Sequence, residues 1–182
     1  MKKSLLIMAA AALIAACGQK KEEGFTFKTN VFLENKVGHY LAKHPDWKSN
    51  EDKDTEVTSD FRDSVIIWSN DDRFFENLPL ELKKVEAEKV QNQDVQMAYF
   101  ETFNDPTRVK ESLLNDIRLT IRAIVPPSQL ANLKAGERYN ISASMYKQGR
   151  KKDVSYTKEE KSQVIDLGSY TYALNSAQPL KP

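Results

Sequence analysis

The stretch Ile117–Val125, with the sequence IRLTIRAIV, decides the fold class of this chain. Apolar residues occupy every second position, and Arg118, Thr120 and Arg122 stand between them. A period of two is the pattern of a strand with one face in the core and the other in solvent. The sequence therefore predicts a sheet in which Arg118 and Arg122 lie on the solvent face.

Similar alternation on both sides of this stretch predicts a five-stranded antiparallel sheet. The first strand slips in phase at Lys83-Lys84 and the last changes face around Gly168, as β-bulges would cause. A short helix is expected after Pro126-Pro127, between strands three and four. The predicted strands begin and end at Leu80–Ala87, Val95–Phe103, Ile117–Val125, Tyr139–Met145 and Ile165–Leu174.

The segment before the sheet is predicted to be mainly helical. Residues Asn30–His44 follow helical spacing, with Thr29 or Asn30 as the cap, and Phe61–Trp68 predicts a second helix. Residues 48–60 are polar and acidic and are predicted to form a loop. The fold class is therefore α+β, with one domain over residues 29–182, helical over 29–78 and mostly strand over 79–175.

The order of strands and helix in the second half resembles the oligonucleotide/oligosaccharide-binding (OB) fold, a five-stranded barrel with a helix between strands three and four. The resemblance covers about Leu80 to Leu174 and is one of topology alone. Open α+β sheets with helices packed on one face, including cone-like NTF2-type folds, would give a similar order of elements. Both architectures stay open at this point.

The N-terminus resembles a bacterial lipoprotein signal peptide. Lys2-Lys3 precede twelve apolar residues, Leu5–Ala16, too few to span a bilayer, and Ile14-Ala15-Ala16-Cys17 matches a lipobox. The resemblance implies cleavage after residue 16, lipid attachment at Cys17 through acyl chains such as palmitate, and a tether over residues 17–28. Gly18 is not the aspartate that retains enteric lipoproteins in the inner membrane, so we expect an outer-membrane location.

Composition narrows the function classes. The net charge of +1 gives no support for nucleic-acid binding, and lipidation of Cys17, the only cysteine, would leave no thiol for catalysis, a disulfide or zinc. Known nucleophile, phosphate-loop and zinc motifs are absent from the sequence. His39 and His44 are wrongly spaced to share a metal on one helix. We therefore predict no cofactor and no metal site, and find no positive support for an enzyme.

Basic residues form the candidate binding surface. Arg150, Lys151 and Lys152 occupy the predicted loop between strands four and five, which in an OB fold borders the ligand face together with the loop between strands one and two. With Arg118 and Arg122 they would bind an anionic glycan, a lipid headgroup or an acidic partner. The alternative is a solvated charged hairpin. Tyr99 and Tyr170 are expected in the core.

The sequence thus favours a non-enzymatic lipoprotein of the outer membrane that binds an envelope protein or glycan. One alternative is a structural or assembly component of an envelope complex. The other is an envelope hydrolase whose site is not recognised in the sequence.

Overall fold

The computed structural model describes residues 25–47, 51–147, 154–158 and 163–180. It confirms the α+β class, with helices first and a sheet after them. The elements are α1 (Phe32–Lys43), α2 (Glu51–Trp68), β1 (Pro79–Val90), β2 (Gln93–Glu101), a 3₁₀ turn (Leu113–Asn115), β3 (Ile117–Val125), α3 (Pro127–Leu130), β4 (Arg138–Lys147), β5 (Val154–Lys158) and β6 (Gln163–Pro179). None of the helices in these ranges is long and apolar enough to cross a membrane.

The six strands form one sheet in the order β3-β2-β1-β4-β6-β5. All these neighbours pair antiparallel, and β3 also pairs with β6 in parallel. Five strands, β1, β2, β3, β6 and β4, therefore form a closed ring of pairings, and β5 lies outside the ring beside β6. In a closed ring the strand edges are paired, so that few backbone N–H and C=O groups are left exposed.

Two irregularities predicted from the sequence are confirmed. The β1–β2 register shifts between Leu82 and Lys84. The β3–β6 register shifts opposite Gly168, which has φ 86°, a conformation that favours glycine. The Asp166 carboxylate accepts a hydrogen bond of 2.8 Å from the Gly168 amide. This bend allows the 17-residue strand β6 to pair first with β5 and then with β4.

The prediction of five strands is wrong, because β5 is a sixth. The sequence segment was assigned to a charged loop, yet Val154 and Tyr156 alternate with Ser155 and Thr157. Val154 and Tyr156 are buried, and the two polar residues between and after them are exposed. The alternation covers too few residues to be recognised among the surrounding lysines and glutamates.

The loop predicted over residues 48–60 is also wrong for most of its length, because α2 begins at Glu51. The apolar residues Val57, Phe61 and Val65 recur every fourth position, and Phe61 and Val65 are fully buried. The helical period thus extends one turn further back than the sequence analysis recognised.

The helices cover β5 and β6 and complete the core. Phe61 lies 4.9 Å from Trp47 and 5.0 Å from Tyr40, measured between ring centroids, and Trp47 lies 4.3 Å from Tyr156 on β5. The Arg62 Nε–H donates to the Val154 carbonyl at 2.9 Å. Aromatic packing and this hydrogen bond hold α2 on β5, which explains why a short strand outside the ring is stably placed.

Candidate functional site

The outer surface of β1, β2 and β3 carries a group of polar side chains around Tyr99. Strand register places Tyr99 opposite Lys84 on β1 and opposite Arg122 on β3. We call Lys84, Glu86, Glu88, Tyr99 and Arg122 the outer-face cluster. Because side chains alternate across a strand, these residues share the face opposite to the core.

The position of Tyr99 corrects the expectation that it lies in the core. Ala98 and Phe100 are the fully buried core residues of β2, so the residue between them faces outward. The sequence of β2 does not show which residues face the core, because Met97-Ala98-Tyr99-Phe100 is continuously apolar or aromatic and has no alternation. Tyr170 is in the core as expected, with 2% of its surface exposed.

Hydrogen bonds and ion pairs join the cluster into one network. Arg122 Nη2 lies 2.5 Å from Glu88 Oε2, and the Tyr99 hydroxyl donates to Glu88 Oε1. Lys84 Nζ lies 2.8 Å from Glu86 Oε1 and 4.4 Å above the Tyr99 ring, while the Arg122 guanidinium lies 5.8 Å from the same ring. The Tyr99 ring therefore lies near two cations, and a carboxylate accepts the hydrogen bond of its hydroxyl.

The electrostatics of the cluster are balanced. The hydrogen bond to Glu88, followed by burial, raises the pKa of Tyr99 to about 12, so the phenol stays protonated at neutral pH. The hydrogen bond from Lys84 lowers the pKa of Glu86. The charges of Lys84 and Arg122 then cancel those of Glu86 and Glu88, so the cluster has no net charge. Such a surface offers donors, acceptors and an aromatic ring, and these suit a ligand rich in hydroxyl groups better than a strongly charged one.

An apolar strip lies beside Tyr99 on the same face. Met97, one register step from Tyr99, pairs with Glu86 and with Ile124. Met97 is fully buried although it is not part of the main core, and Ile124 is partly buried. The stems of charged side chains commonly cover such residues. The outer face thus combines an aromatic ring, a polar network and an adjacent apolar strip.

The five basic residues proposed from the sequence are only partly placed by the structure. Arg122 belongs to the outer-face cluster. Arg118 is exposed at the beginning of β3 and donates to the carbonyls of Asn115 at 2.6 Å and Ile117 at 3.2 Å. Arg150, Lys151 and Lys152, like Cys17, lie outside the described residues. Their roles remain predictions.

Sequence reasoning missed Lys84, Glu86, Glu88 and Tyr99 as potential binding residues. The signal that could have found the first three is their own alternation, because Val85 and Ala87 were assigned to a strand and their neighbours must then share the opposite face. No sequence signal pairs Glu88 with Arg122, since they are 34 residues apart and meet only through the register of three strands.

Metal chemistry has no support within the described ranges, where no group of three or more histidine, cysteine, aspartate or glutamate side chains could hold an ion. Both histidines are packed against aromatic rings instead. His39 lies 5.8 Å from Phe25 and His44 lies 4.5 Å from Tyr40, measured between ring centroids.

Comparison with protein-family models, with curated proteins and with solved structures finds no match to this chain. Its function is therefore inferred from its own residues.

Proposed function

We propose that this chain is a lipoprotein anchored in the outer membrane, whose domain binds an envelope glycan without catalysing a reaction. The membrane part of the proposal is supported by the lipobox-like Ile14-Ala15-Ala16-Cys17. Acyl chains contribute about 0.8 kcal/mol per buried CH₂, and two or more chains are needed for stable attachment. Three chains on Cys17 would make the attachment effectively permanent.

The proposed architecture of the binding domain is an OB-like barrel with β5 added. The closed ring of β1, β2, β3, β6 and β4, with the parallel β3–β6 pair, supports this interpretation. The position of α3 between β3 and β4 agrees with it. In OB folds the ligand lies on the outer face around strands two and three, which is the face that carries the outer-face cluster.

Tyr99 is the observation that carries the glycan proposal. Its ring is on the outer face, and its hydroxyl is oriented by Glu88, which also holds Arg122. A sugar ring can pack its C–H groups against an aromatic face while its hydroxyls bond to neighbouring carboxylate and guanidinium groups. The cluster has no net charge, which favours a neutral glycan over an acidic protein.

Cosedimentation with isolated cell-wall glycan from the host tests the binding proposal. We expect Tyr99→Ala to weaken binding at least about tenfold, because it removes both the stacking surface and the hydroxyl that orders Glu88. Tyr146→Ala is the control, since Tyr146 is a strand tyrosine that is 41% exposed, whereas Tyr99 is half-buried, and it lies on β4 outside the cluster.

Equal binding by the two variants would refute the role of Tyr99. If the wild type binds no envelope glycan, the glycan proposal fails. Specific crosslinking of one envelope protein through the same face would then favour the assembly alternative instead.

The anchor is tested separately by intact mass and detergent partitioning after expression in the host. The wild type is expected to carry a triacyl mass and to enter the detergent phase, and Cys17→Ala is expected to do neither. A wild type that stays in the aqueous phase, cleaved at another residue, would refute the lipoprotein proposal.

A further inference from the structure

A cleft that shares no residue with the outer-face cluster lies where several strands begin or end. It has a volume of about 800 Å³ and is bordered by the first residues of β1 and β4 and the segments that follow β2 and β6. Its centre is formed by Phe103, Asp105, Arg108 and Arg138. We call these four residues the arginine cleft.

Both arginines of the cleft lie over one aromatic ring. The guanidinium carbon of Arg138 is 4.1 Å from the centroid of Phe103, and that of Arg108 is 4.7 Å from it. The two guanidinium groups are therefore no farther apart than the sum of these distances. Contacts between a cation and a ring orient a guanidinium without using its N–H groups, so that those not bonded within the protein remain available for a ligand.

The two arginines differ in how their charge is balanced. Arg138 Nη1 lies 3.3 Å from Asp105 Oδ2, in an ion pair. Arg108 donates from Nη1 to two neutral acceptors, the Phe103 carbonyl at 2.8 Å and Asn115 Oδ1 at 2.7 Å. Within the described part of the chain Arg108 forms no ion pair. Burial lowers the pKa of Arg108, and the nearby charge of Arg138 acts in the same direction, whereas the carboxylates of Asp105 and Glu34 oppose the shift without forming an ion pair with Arg108.

The remaining charged groups around the cleft are engaged elsewhere. The second oxygen of Asp105, Oδ1, accepts from the Thr107 amide at 3.0 Å and from its hydroxyl at 2.6 Å. Glu137 lies 3.4 Å from Lys134 and accepts from the Tyr139 hydroxyl at 3.2 Å. Among the charged groups that line the cleft, Arg108 is thus the one whose direct partners are all neutral.

We propose that Arg108 and Arg138 form a binding site for a phosphate group. A guanidinium presents a planar fork of donors that matches two oxygens of an oxyanion. One such fork engages both oxygens of a carboxylate, whereas a phosphate has further oxygens that can accept from a second fork. The proposal does not depend on glycan binding by the outer-face cluster, because the two sites share no residue.

The phosphate could belong to a phospholipid headgroup or to a soluble compound. Arg108 also borders a neighbouring cleft of about 550 Å³ together with Val109 and residues 27–31, close to where the described chain begins at Phe25. Val109 is 58% exposed. Arg108 thus lies near the chain segment that follows the proposed tether, where a phospholipid headgroup would be within reach. A lipid source and a soluble source are therefore both tested.

The first experiment titrates the full chain with inorganic phosphate and follows the arginine Nε–H signals by NMR. We expect saturable shifts of the Arg108 and Arg138 signals. Arg108→Gln and Arg138→Gln should each weaken binding at least about tenfold. Lys110→Gln is the matched control, because Lys110 is exposed in the same segment but outside the cleft, and it should bind like the wild type.

The second experiment measures cosedimentation of the unlipidated Cys17→Ser chain with vesicles that contain phosphatidic acid. Binding that is lost in Arg108→Gln and kept in Lys110→Gln supports a lipid headgroup, whereas phosphate binding in solution without vesicle binding supports a soluble ligand. The proposal is overturned if the wild-type arginine signals do not shift, or if Lys110→Gln lowers affinity as much as Arg108→Gln. The wild-type shifts keep the test decisive even where a variant unfolds.

Discussion

Two regions of this molecule balance their charges in opposite ways. In the outer-face cluster each charge meets its opposite, with Arg122 paired to Glu88 and Lys84 paired to Glu86. Around the 3₁₀ turn the opposite charges are kept apart. Glu34, only 1% exposed, accepts from the hydroxyls of Thr29 and Ser112 and from the Leu113 amide, and Arg108 donates to a carbonyl and an amide oxygen.

The difference has consequences for binding. A pair of opposite charges in contact cancels most of its external field, and a ligand must break the pair to use either partner. A charge that is bonded to neutral groups keeps its field and can attract an ion from solution. The outer-face cluster is therefore suited to a neutral ligand that fits its shape, and the arginine cleft is suited to an anion.

The largest effect is expected at Glu34. Its carboxylate accepts a hydrogen bond of 2.5 Å from Thr29, before α1, and bonds of 2.6 and 2.8 Å from Ser112 and Leu113, which tie the first turn of α1 to the segment before β3. Glu34→Ala leaves these half-buried donors without their acceptor and should lower the free energy of unfolding by about 3 kcal/mol. Urea denaturation followed by tryptophan fluorescence measures it. Glu111→Ala, an exposed carboxylate nearby, is the control and should change little.

If Glu34→Ala lowers the free energy of unfolding no more than Glu111→Ala does, the hydrogen bonds from neutral donors to the buried carboxylate do not stabilise the fold. The contrast between the two regions would then be one of geometry alone.

The fold could be read from the sequence wherever one period dominates. β3 alternates over its whole length, and its predicted limits, Ile117–Val125, agree with the structure. The bulges in β1 and β6 were visible because the alternation changes phase at Lys83-Lys84 and at Gly168. Where the period was ambiguous, as in Met97-Ala98-Tyr99-Phe100, or short, as in β5, prediction failed.

The candidate sites were harder to predict, for a physical reason. Phe103, Arg108 and Arg138 meet because β2 ends and β4 begins at the same end of the sheet, and nothing in the local sequence encodes that meeting. Glu34 also carries no sequence signal, since a glutamate in the first turn of a helix is ordinarily exposed. A pattern along the chain predicts which face of a strand or helix is buried. A site depends on which strand faces and strand ends the fold brings together, and the local pattern does not contain that information.

A smaller effect than that at Glu34 is expected on the pKa of Tyr99 when Glu88 is substituted. Its pKa is raised to about 12, chiefly by the hydrogen bond to Glu88. Glu88→Gln removes the negative charge, so the pKa should fall toward the ordinary value of 10.0. NMR of ¹³C-labelled tyrosine measures it. An unchanged pKa in Glu88→Gln would assign the shift to burial instead of to the cluster.

The same shift predicts how stability depends on pH. A pKa that is higher in the folded protein than in the unfolded chain means that the folded state holds the proton more tightly. The resulting stabilisation is complete below pH 10 and is lost as the pH rises toward 12. The difference in stability between the wild type and Glu88→Gln should therefore shrink across this interval, as measured by urea denaturation at each pH.

The smallest effect is expected for the coupling between Glu88 and Arg122. Their side chains are 21% and 38% exposed, so solvent screens the pair, and a double-mutant cycle should give a coupling of about 0.5–1 kcal/mol. The coupling should decrease in 1 M salt, where the Debye length falls to about 3 Å. Lys89 and Asp94, 3.8 Å apart and 76% and 82% exposed, serve as the control pair and should show no measurable coupling. If Glu88 and Arg122 also show none, Glu88 does not neutralise the charge of Arg122, and an anion would have no electrostatic reason to prefer the arginine cleft over the outer face.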